Sequence, residues 1–355
     1  MTEREAMHRA VELAWNGWGR VAPNPLVGCV ILQEGVSVGE GWHAEYGGAH
    51  AEQMALAAAG DRARGATAVV TLEPCAHTGK QPPCVEALIA AGVARVVFGA
   101  ADPNAEAAGG AARLQAAGVA VEDGVLAGEV RHQNAAFFHR HQVHDRPWTV
   151  LKLAMSLDAR IADATGRSQW ISGEEAREWV HWLRAGVDAI AVGGATVRAD
   201  NPRLTARGTV TPRCPPRRVV FVGRGSIPAD SHLVATAAEV ATIAVVPPGH
   251  EDRAVLSASG VRVVEAGSLP EAMGLLKASG VDSLLVEGGG RLAGALLADG
   301  LVDRCCLIQA PLFLGTAGVP AVAGWPGGPL ADATPWNVVE RRALGRDTLL
   351  VLDRG

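Results

Sequence analysis

The sequence predicts an α/β protein built from two domains. Three observations carry this expectation. Its 355 residues exceed what one hydrophobic core usually serves. Short apolar runs bounded by turn residues alternate with helical patterns in both halves, as βαβ units require. A polar break at Asp145-Arg146-Pro147 separates the halves, so the expected domains are residues 1–145 and 146–355.

The elements of the first half follow in order. Thr2 and Glu5 form a capping box. Met7, Ala10, Val11, Ala14, Trp15 and Trp18 then recur at helical spacing and define one apolar face. The helix breaks at residues 17–19, where two glycines fall. Prolines on either side of Asn24 stiffen the next loop and hold one amide where it could bond a base edge; a plain turn would use the same residues. Residues 27–32 and 37–41 read as a hairpin. An Ala-rich run closed by Gly60 reads as a helix that begins near His50. Residues 68–72 form a buried strand that delivers Glu73-Pro74-Cys75. Cys84 opens a helix over residues 85–91, and strand 95–99, helix 110–117 and strand 119–121 continue the alternation. Residues 129–143 read as a polar, solvated connecting helix. Its four histidines, His132, His139, His141 and His144, lack the Cys or carboxylate spacing of a metal site.

In the second half, residues 148–155 read as a strand. Ser172 and Glu175 suggest a second capping box, opening a helix to about Arg184. Strands follow at 189–192, 218–222, 242–246, 261–264 and 283–287. Gly288-Gly289-Gly290 then leads into a helix over 291–298. Such a glycine turn lets backbone N–H groups approach a phosphate, although tight strand-to-helix packing asks for the same residues. It lacks the full dinucleotide fingerprint, so an ordinary Rossmann unit is not expected. The tail beyond Pro311 is rich in Gly, Ala and Pro and gives no element.

Composition excludes several function classes. A net charge of −5 and 4% aromatic content argue against nucleic acid as a partner. No apolar run is long enough for a membrane span. The charged start, Met1-Thr2-Glu3-Arg4-Glu5, lacks the apolar core of a signal peptide. Six cysteines are too few for a disulfide framework in so long a chain, so a cytoplasmic protein with free thiols is expected. Cys29, Cys214, Cys305 and Cys306 receive no role.

The chemistry points to His50-Ala51-Glu52, Pro74-Cys75 and Cys84. One imidazole and two thiolates give Zn²⁺ three protein ligands and leave a fourth position for water, the ligand count of a catalytic site. Zinc lowers the pKa of that water, and Glu52 is the candidate to move protons between it, a ring nitrogen and a departing amine. The ordered set is the signature of nucleobase deaminases. Residues i and i+2 of a helix point about 200° apart, so His50 and Glu52 can converge only beyond a helix N-terminus. Eight residues, 76–83, separate the cysteines. Among them His77 and Lys80 could carry a donor and a cation to a phosphorylated substrate. A structural zinc site would close with four protein ligands; three and a general base are seen.

Several motifs together carry a family resemblance. Pro23-Asn24-Pro25-x-Val27-Gly28, Gly41-x-His43, His50-Ala51-Glu52 and Pro74-Cys75-x-His77-x-Gly79-x-x-Pro82-Pro83-Cys84 resemble the deaminase half of the bifunctional riboflavin-biosynthesis deaminase/reductases. The family usually has Arg and Thr where this chain has Lys80 and Gln81. Lys152-x-Ala154-x-Ser156-Leu157-Asp158, Ser168-x-Trp170-Ile171, His181-x-x-Arg184, Gly193-x-x-Thr196, Asp200-Asn201-Pro202-x-Leu204-Thr205-x-Arg207 and Glu287-Gly288-Gly289 resemble the reductase half. The two halves stand in the family's bacterial order and cover nearly the whole chain.

The resemblance implies a cytidine-deaminase-like three-layer αβα domain followed by a dihydrofolate-reductase-like α/β domain. It implies zinc-dependent deamination of 2,5-diamino-6-(5-phosphoribosylamino)pyrimidin-4(3H)-one, then NADPH-dependent reduction of the ribosyl group to ribityl. His50, Cys75 and Cys84 would hold one zinc, with Glu52 catalytic, and Asn24, His43, His77 and Lys80 would meet the substrate. Ala154, Trp170, Thr196, Asp200, Gly288, Gly289 and Gly290 would hold NADPH. Ser168, Arg184, Leu204, Arg207 and Glu287 would hold the second substrate, with Arg184 and Arg207 suited to fork onto its phosphate. Arg224, in a stretch that departs from the family's usual Asp-Ser type, offers a cation for the cofactor's 2′-phosphate. A homo-oligomer, dimer or tetramer, is also expected, without nucleic-acid or membrane partners. The competing expectation is a nucleoside or nucleic-acid deaminase with a C-terminal binding module.

Overall fold

A computed structural model describes residues 1–223, 225–333 and 335–355. Arg224 lies outside the described residues. The chain divides into two compact units, Met1–Gln142 and Val143–Gly355.

In the first unit, α1 (Glu3–Ala14) starts at the expected box: Glu5 N donates to Thr2 Oγ1 at 3.2 Å and Thr2 N to Glu5 Oε2 at 2.7 Å. The helix stops before the apolar pattern does. A 3-10 turn over Trp15–Gly17 follows, and the Trp15 and Trp18 rings pack edge to face with centroids 5.3 Å apart. β1 (Gly28–Gln33) and β2 (Val36–Trp42) form the hairpin. With β3 (Thr67–Leu72), β4 (Arg95–Ala100) and β5 (Ala120–Glu122) they build a sheet in the order β2-β1-β3-β4-β5. β3, β4 and β5 are parallel, and β1 is antiparallel to β3.

Period-two alternation sends the side chains to opposite faces. Cys29, Ile31, Ala68, Val70 and Val96 pack with Ala51 and Ala55 of α2 (Ala51–Ala59), Val85 and Leu88 of α3 (Cys84–Ala90) and Leu114 of α4 (Gly110–Ala116). Val30, Leu32, Val69 and Val97 pack with Met7, Ala10 and Leu13 of α1. The result is three layers, αβα. Burial of each large aliphatic side chain contributes roughly 1.5–3 kcal/mol.

The segment expected as one solvated helix is two, α5 (Ala127–Gln133) and α6 (Ala135–Gln142), broken at Asn134. Val130, Asn134, Phe138 and His139 are buried. The break frees the Asn134 side chain to act as a strand would. It accepts from Leu26 N at 2.7 Å and donates to Leu26 O at 2.9 Å, which pins the loop carrying Asn24.

The second unit holds a nine-stranded sheet. Its strands are β6 (Trp148–Met155), β8 (Ala189–Gly193), β9 (Arg217–Phe221), β10 (Thr242–Val246), β11 (Arg262–Glu265), β12 (Ser283–Glu287), β13 (Arg304–Gln309), β15 (Trp336–Leu344) and β16 (Asp347–Arg354), in the order β11-β10-β9-β8-β12-β6-β13-β16-β15. A separate short pair joins β7 (Arg160–Ala162) to β14 (Val319–Pro320). The strands from β11 to β13 run parallel, and β16 and β15 add antiparallel. The tail left unassigned from sequence thus completes the sheet. The helices are α7 (Glu174–Ala185), α8 (Gly194–Asp200), α9 (His232–Ala235), α10 (Arg253–Ala258), α11 (Leu269–Ala278) and α12 (Gly290–Ala298). Met273 and Leu276 of α11 and Leu292 and Leu296 of α12 bury against Leu151, Ala191, Val219, Val245 and Val286.

The second expected capping box is not formed. Gly173 caps α7, and its N–H donates to Asp347 Oδ2 at 2.7 Å. Asp347 is the first residue of β16, so a contact distant in sequence replaces the local one. No helix among the described residues is long and apolar enough to cross a membrane.

Candidate active sites

In the first unit, His50 is the N-cap of α2 with extended backbone, φ −77° and ψ 162°. Glu52 lies one residue inside the helix, so the non-helical turn at His50 lets the two converge. Gln53 Oε1 accepts from His50 N at 3.1 Å and fixes that turn. Cys75 follows β3, and Cys84 is the first residue of α3. His50, Cys75 and Cys84 offer one ligand atom each, all within 4.8 Å of one another. His50 Nδ1 stands 3.2 Å from Cys84 Sγ and 3.6 Å from Cys75 Sγ, and Cys84 N donates to Cys75 Sγ at 3.4 Å.

The electrostatics of this group are those of a metal-ligand set. A hydrogen bond from Cys84 outweighs burial and, with His50, lowers the Cys75 thiol to about 4. Cys84 is pushed far up, first by that same bond and then by burial. His50 is raised by its bond to Cys75. The two sulfurs compete for one proton. A divalent cation would let both ionise, and the two-sulfur, one-imidazole donor set fits zinc. Glu52 is 3% exposed, and burial, then the charge of Cys75, raises its carboxyl above the usual range. A carboxyl shifted in this direction holds a proton more readily than an ordinary one, which suits a group that takes and returns protons.

The other expected residues line up unequally. Asn24 Nδ2 is 3.2 Å from His43 Nε2, and His43 Nδ1 is 3.1 Å from Ala49 O. A carbonyl only accepts, so Nδ1 carries the proton and Nε2 accepts from Asn24. That leaves Asn24 Oδ1 to accept from a ligand amine. Burial lowers the His43 pKa and keeps the ring neutral. His77 Nδ1 is buried with no hydrogen-bond partner among the described residues. Lys80 Nζ stands 4.0 Å over the Tyr46 ring, and Gln81 Nε2 donates to Gly47 O at 3.1 Å, which ties the inter-cysteine loop to the loop before His50. Asp102, not anticipated from sequence, has its carboxyl raised to about 6 by burial, outweighing its bond from Asn104, with Glu73 and Cys75 adding repulsion.

In the second unit, a charged cluster lies where parallel strands end. Glu287 closes β12 and pairs in register with Lys152 of β6, which pairs in turn with Cys306 of β13. Arg184 of α7 meets Glu287 through Nε and Nη2 at 2.5 and 2.7 Å and donates from Nη1 to Thr205 O at 3.0 Å. Burial would raise Glu287, but Arg184 and Lys152 hold it at about 2. Burial lowers Lys152 despite Glu287. Arg184 was expected to fork onto a phosphate, but its fork is taken by Glu287. Arg207 is exposed, and its N–H donates to His181 Nδ1 at 3.2 Å.

Sequence reasoning gave Lys152 and His181 no role. A lysine at an inward position of an apolar strand was the available signal for the first. Ser168 Oγ donates to Asp200 Oδ1 at 3.1 Å, bringing together one expected substrate residue and one expected cofactor residue. Leu204 is buried with φ 50°. Trp170 is 67% exposed, with the Arg177 guanidinium 4.7 Å over its ring. Ala154 lies on β6 opposite Ile308.

β8 and β12 are adjacent and parallel, so α8 and α12 start side by side at their carboxyl ends. Gly288 and Gly289 have φ of +84° and +89°, and a Cβ on Gly289 would lie 3.3 Å from Thr196 Oγ1. The crevice outside the carboxyl ends of such strands is where open α/β sheets take ligands. Two N-termini and glycine backbone there suit a phosphate-bearing cofactor.

Comparison with known proteins agrees with this layout. Residues 147–350 match the family described as RibD C-terminal domain. Residues 1–100 match the cytidine and deoxycytidylate deaminase zinc-binding region. The riboflavin biosynthesis protein RibD of Escherichia coli K12 is 40% identical, covering 99% of both chains. The structure of Acinetobacter baumannii RibD superposes with a TM-score of 0.84 at 34% identity over 99% of each chain. A Thermotoga maritima structure described as a diaminohydroxyphosphoribosylaminopyrimidine deaminase/5-amino-6-(5-phosphoribosylamino)uracil reductase gives 0.84 at 32% identity, again over 99% of each. With a deaminase fold around His50, Cys75 and Cys84 and a reductase fold around Glu287, the chain belongs to the RibD family of bifunctional riboflavin-biosynthesis deaminase/reductases.

Proposed function

We propose that the first unit hydrolyses the exocyclic amine of the phosphoribosylated diaminopyrimidinone to give the uracil and ammonia, and that the second reduces the ribosyl group of that product with NADPH. The observation that carries the reading is the convergence of His50, Cys75 and Cys84 within 4.8 Å beside the buried carboxyl of Glu52. A binding module is not favoured for the second half, because that half matches the RibD C-terminal domain and carries a half-buried Lys–Glu–Arg cluster.

In the first unit His50, Cys75 and Cys84 would hold zinc, which supplies Lewis-acid activation of water. Glu52 takes a proton from the attacking water and passes it to the ring nitrogen; it then takes the remaining proton of the hydroxyl just added to the ring carbon and delivers it to the departing amine, which leaves as ammonia while the carbonyl forms. Asn24, set by His43, reads the base edge through Oδ1. His77 and Lys80 face the ribose phosphate from the inter-cysteine loop.

In the second unit the sugar ring opens to an imine, and bound NADPH would supply the hydride for C1′. Gly288, Gly289, Gly290, Thr196, Asp200, Ala154 and Trp170 would hold the cofactor; Ser168, Leu204 and Arg207 would hold the substrate. Lys152 is the proton donor for ring opening: a lysine whose pKa is lowered by burial is a stronger acid than a surface one. Arg184 keeps Glu287 ionised, and the Glu287 charge favours the protonated form of Lys152.

All six cysteines are free, which supports a cytoplasmic setting. Exposed Val338 and Val339 on the edge strand β15 support assembly of copies through that edge, which light scattering on the purified protein tests. The functional reading is tested by giving purified enzyme the pyrimidine and following ammonia and NADPH separately. Equal yields, with ammonia released also when NADPH is withheld, are expected. Zinc-loaded protein that releases no ammonia would reject the first assignment.

A further inference from the structure

One fixture at the metal-ligand end of β3 has no part in the proton transfers above. Glu73 lies between β3 and Cys75 and is 8% exposed. Its carboxylate accepts three backbone N–H groups from one distant stretch: Asp102 at 3.3 Å, Gly109 at 3.2 Å and Ala111 at 3.0 Å. Its oxygens are not among the donors that converge at His50, Cys75 and Cys84. Its own N–H donates to Ala100 O at 2.9 Å, continuing the β3–β4 ladder.

The same distant stretch grips the residues that flank Cys75. Ala76 N donates to Ala107 O at 3.1 Å, and Arg113 Nη1 donates to Ala76 O at 3.2 Å. A Cβ on Gly110 would lie 1.9 Å from Pro74 O, so backbone rests directly on backbone there. The stretch is braced internally: Asn104 N donates to Asp102 Oδ1 at 2.9 Å, and Ala107 N and Ala108 N donate to Asn104 O at 2.9 and 3.0 Å. It therefore acts as one piece. Residues 73, 74 and 76 all bear on it, and only Cys75 between them is left to the metal group.

Partners of this kind orient ligands and tune the metal. We propose that Glu73 is a positioning residue for deamination, fastening residues 102–111 across Pro74, Cys75 and Ala76 so that the Cys75 sulfur keeps its direction relative to His50, Cys84 and Glu52. This rests on the zinc reading of those three ligands.

The test uses the full chain with Glu73→Gln, and with Gly110→Ala as an independent perturbation of the same contact. Glutamine keeps the length but turns an amide NH₂ towards N–H donors. Glu73→Gln should still take up one zinc per chain but release it to a chelator about 10-fold faster. The cobalt-substituted protein should show a shifted thiolate-to-metal charge-transfer band. kcat for ammonia release should fall about 10–100-fold while KM stays within about threefold.

NADPH-dependent reduction of pre-deaminated substrate should be unchanged. Gly110→Ala, which leaves the charge in place and pushes the stretch off Pro74, should reproduce the faster zinc release and the spectral shift. It decides the question by those readouts if Glu73→Gln fails to fold. Wild-type release, spectrum and kcat in Glu73→Gln would overturn the proposal, as would an effect that Gly110→Ala lacks. A wild-type chain that takes up no zinc would instead sink the zinc reading, and this proposal with it.

Discussion

Replacing Arg184 with leucine tests how the reductase cluster is held. The guanidinium meets both carboxylate oxygens of Glu287 at 2.5 and 2.7 Å, and the two side chains are 14% and 9% exposed. Leucine keeps much of the apolar bulk and removes the charge, leaving Glu287 buried with Lys152 as its cation. In the intact protein Glu287 titrates at about 2 against an ordinary 4.5. That displacement corresponds to ~3 kcal/mol at about 1.36 kcal/mol per pH unit, in the range of about 3–5 kcal/mol for a broken buried pair. A lowered carboxylate pKa gives stability that is fully present above 4.5 and is lost as pH falls from there through about 2.

The variant lacks Arg184's part of this contribution, the largest, while Lys152 keeps its own, and the Glu287 carboxyl accepts a proton more readily. The gap between the two proteins should therefore be widest at neutral pH and should narrow as pH falls below about 5. For a unit the size of Val143–Gly355, ~3 kcal/mol lowers Tm by roughly 6–12 °C. Calorimetry of both full chains between neutral pH and about pH 4 measures it. A loss under about 2 °C at neutral pH, or a gap that does not change with pH, would refute the argument.

Other outcomes follow from the same geometry. Glu52→Gln should keep zinc and lose ammonia release about 10²–10⁴-fold, the range of a general acid–base group; metal analysis beside an ammonia assay checks it, and unchanged release would remove Glu52 from its role. Cys75→Ala should lose both metal and deamination, while pre-deaminated substrate is still reduced; loss of reduction too would argue against independent sites. Arg207→Ala should raise KM for phosphorylated substrate by about 10-fold or more, the scale of a charge-assisted hydrogen bond, and leave the dephosphorylated analogue nearly untouched. Equal effects on both would count against a phosphate contact.

Much of this protein could be read from the chain before any coordinates. Short apolar runs gave β3, β10 and β12 almost residue for residue, because a strand buried on both faces must be apolar along its length. His50, Cys75 and Cys84 stood out because metal chemistry restricts residue type so sharply. Ser268 with Glu271, whose N–H the serine side chain accepts at 3.3 Å, was an equally legible start for α11, though the helix was not assigned. The tail from Pro311 was illegible. β15 is an edge strand with Val338 and Val339 exposed, so it carries no clean alternation, and only its pairing with β16 makes it a strand.

What tertiary structure alone decided is which polar groups face one another. Ser172 and Glu175 have the form of a capping box, yet Asp347 holds the start of α7, because a buried carboxylate nearby competes with the local bond. Asn134 ends a helix in order to serve Leu26. Arg184 looked free for a phosphate and is taken by Glu287. Local periodicity fixes what a residue's own backbone does. A side-chain partner more than 100 positions away, as Glu287 is for Arg184, exists only once the sheet has brought the two elements together.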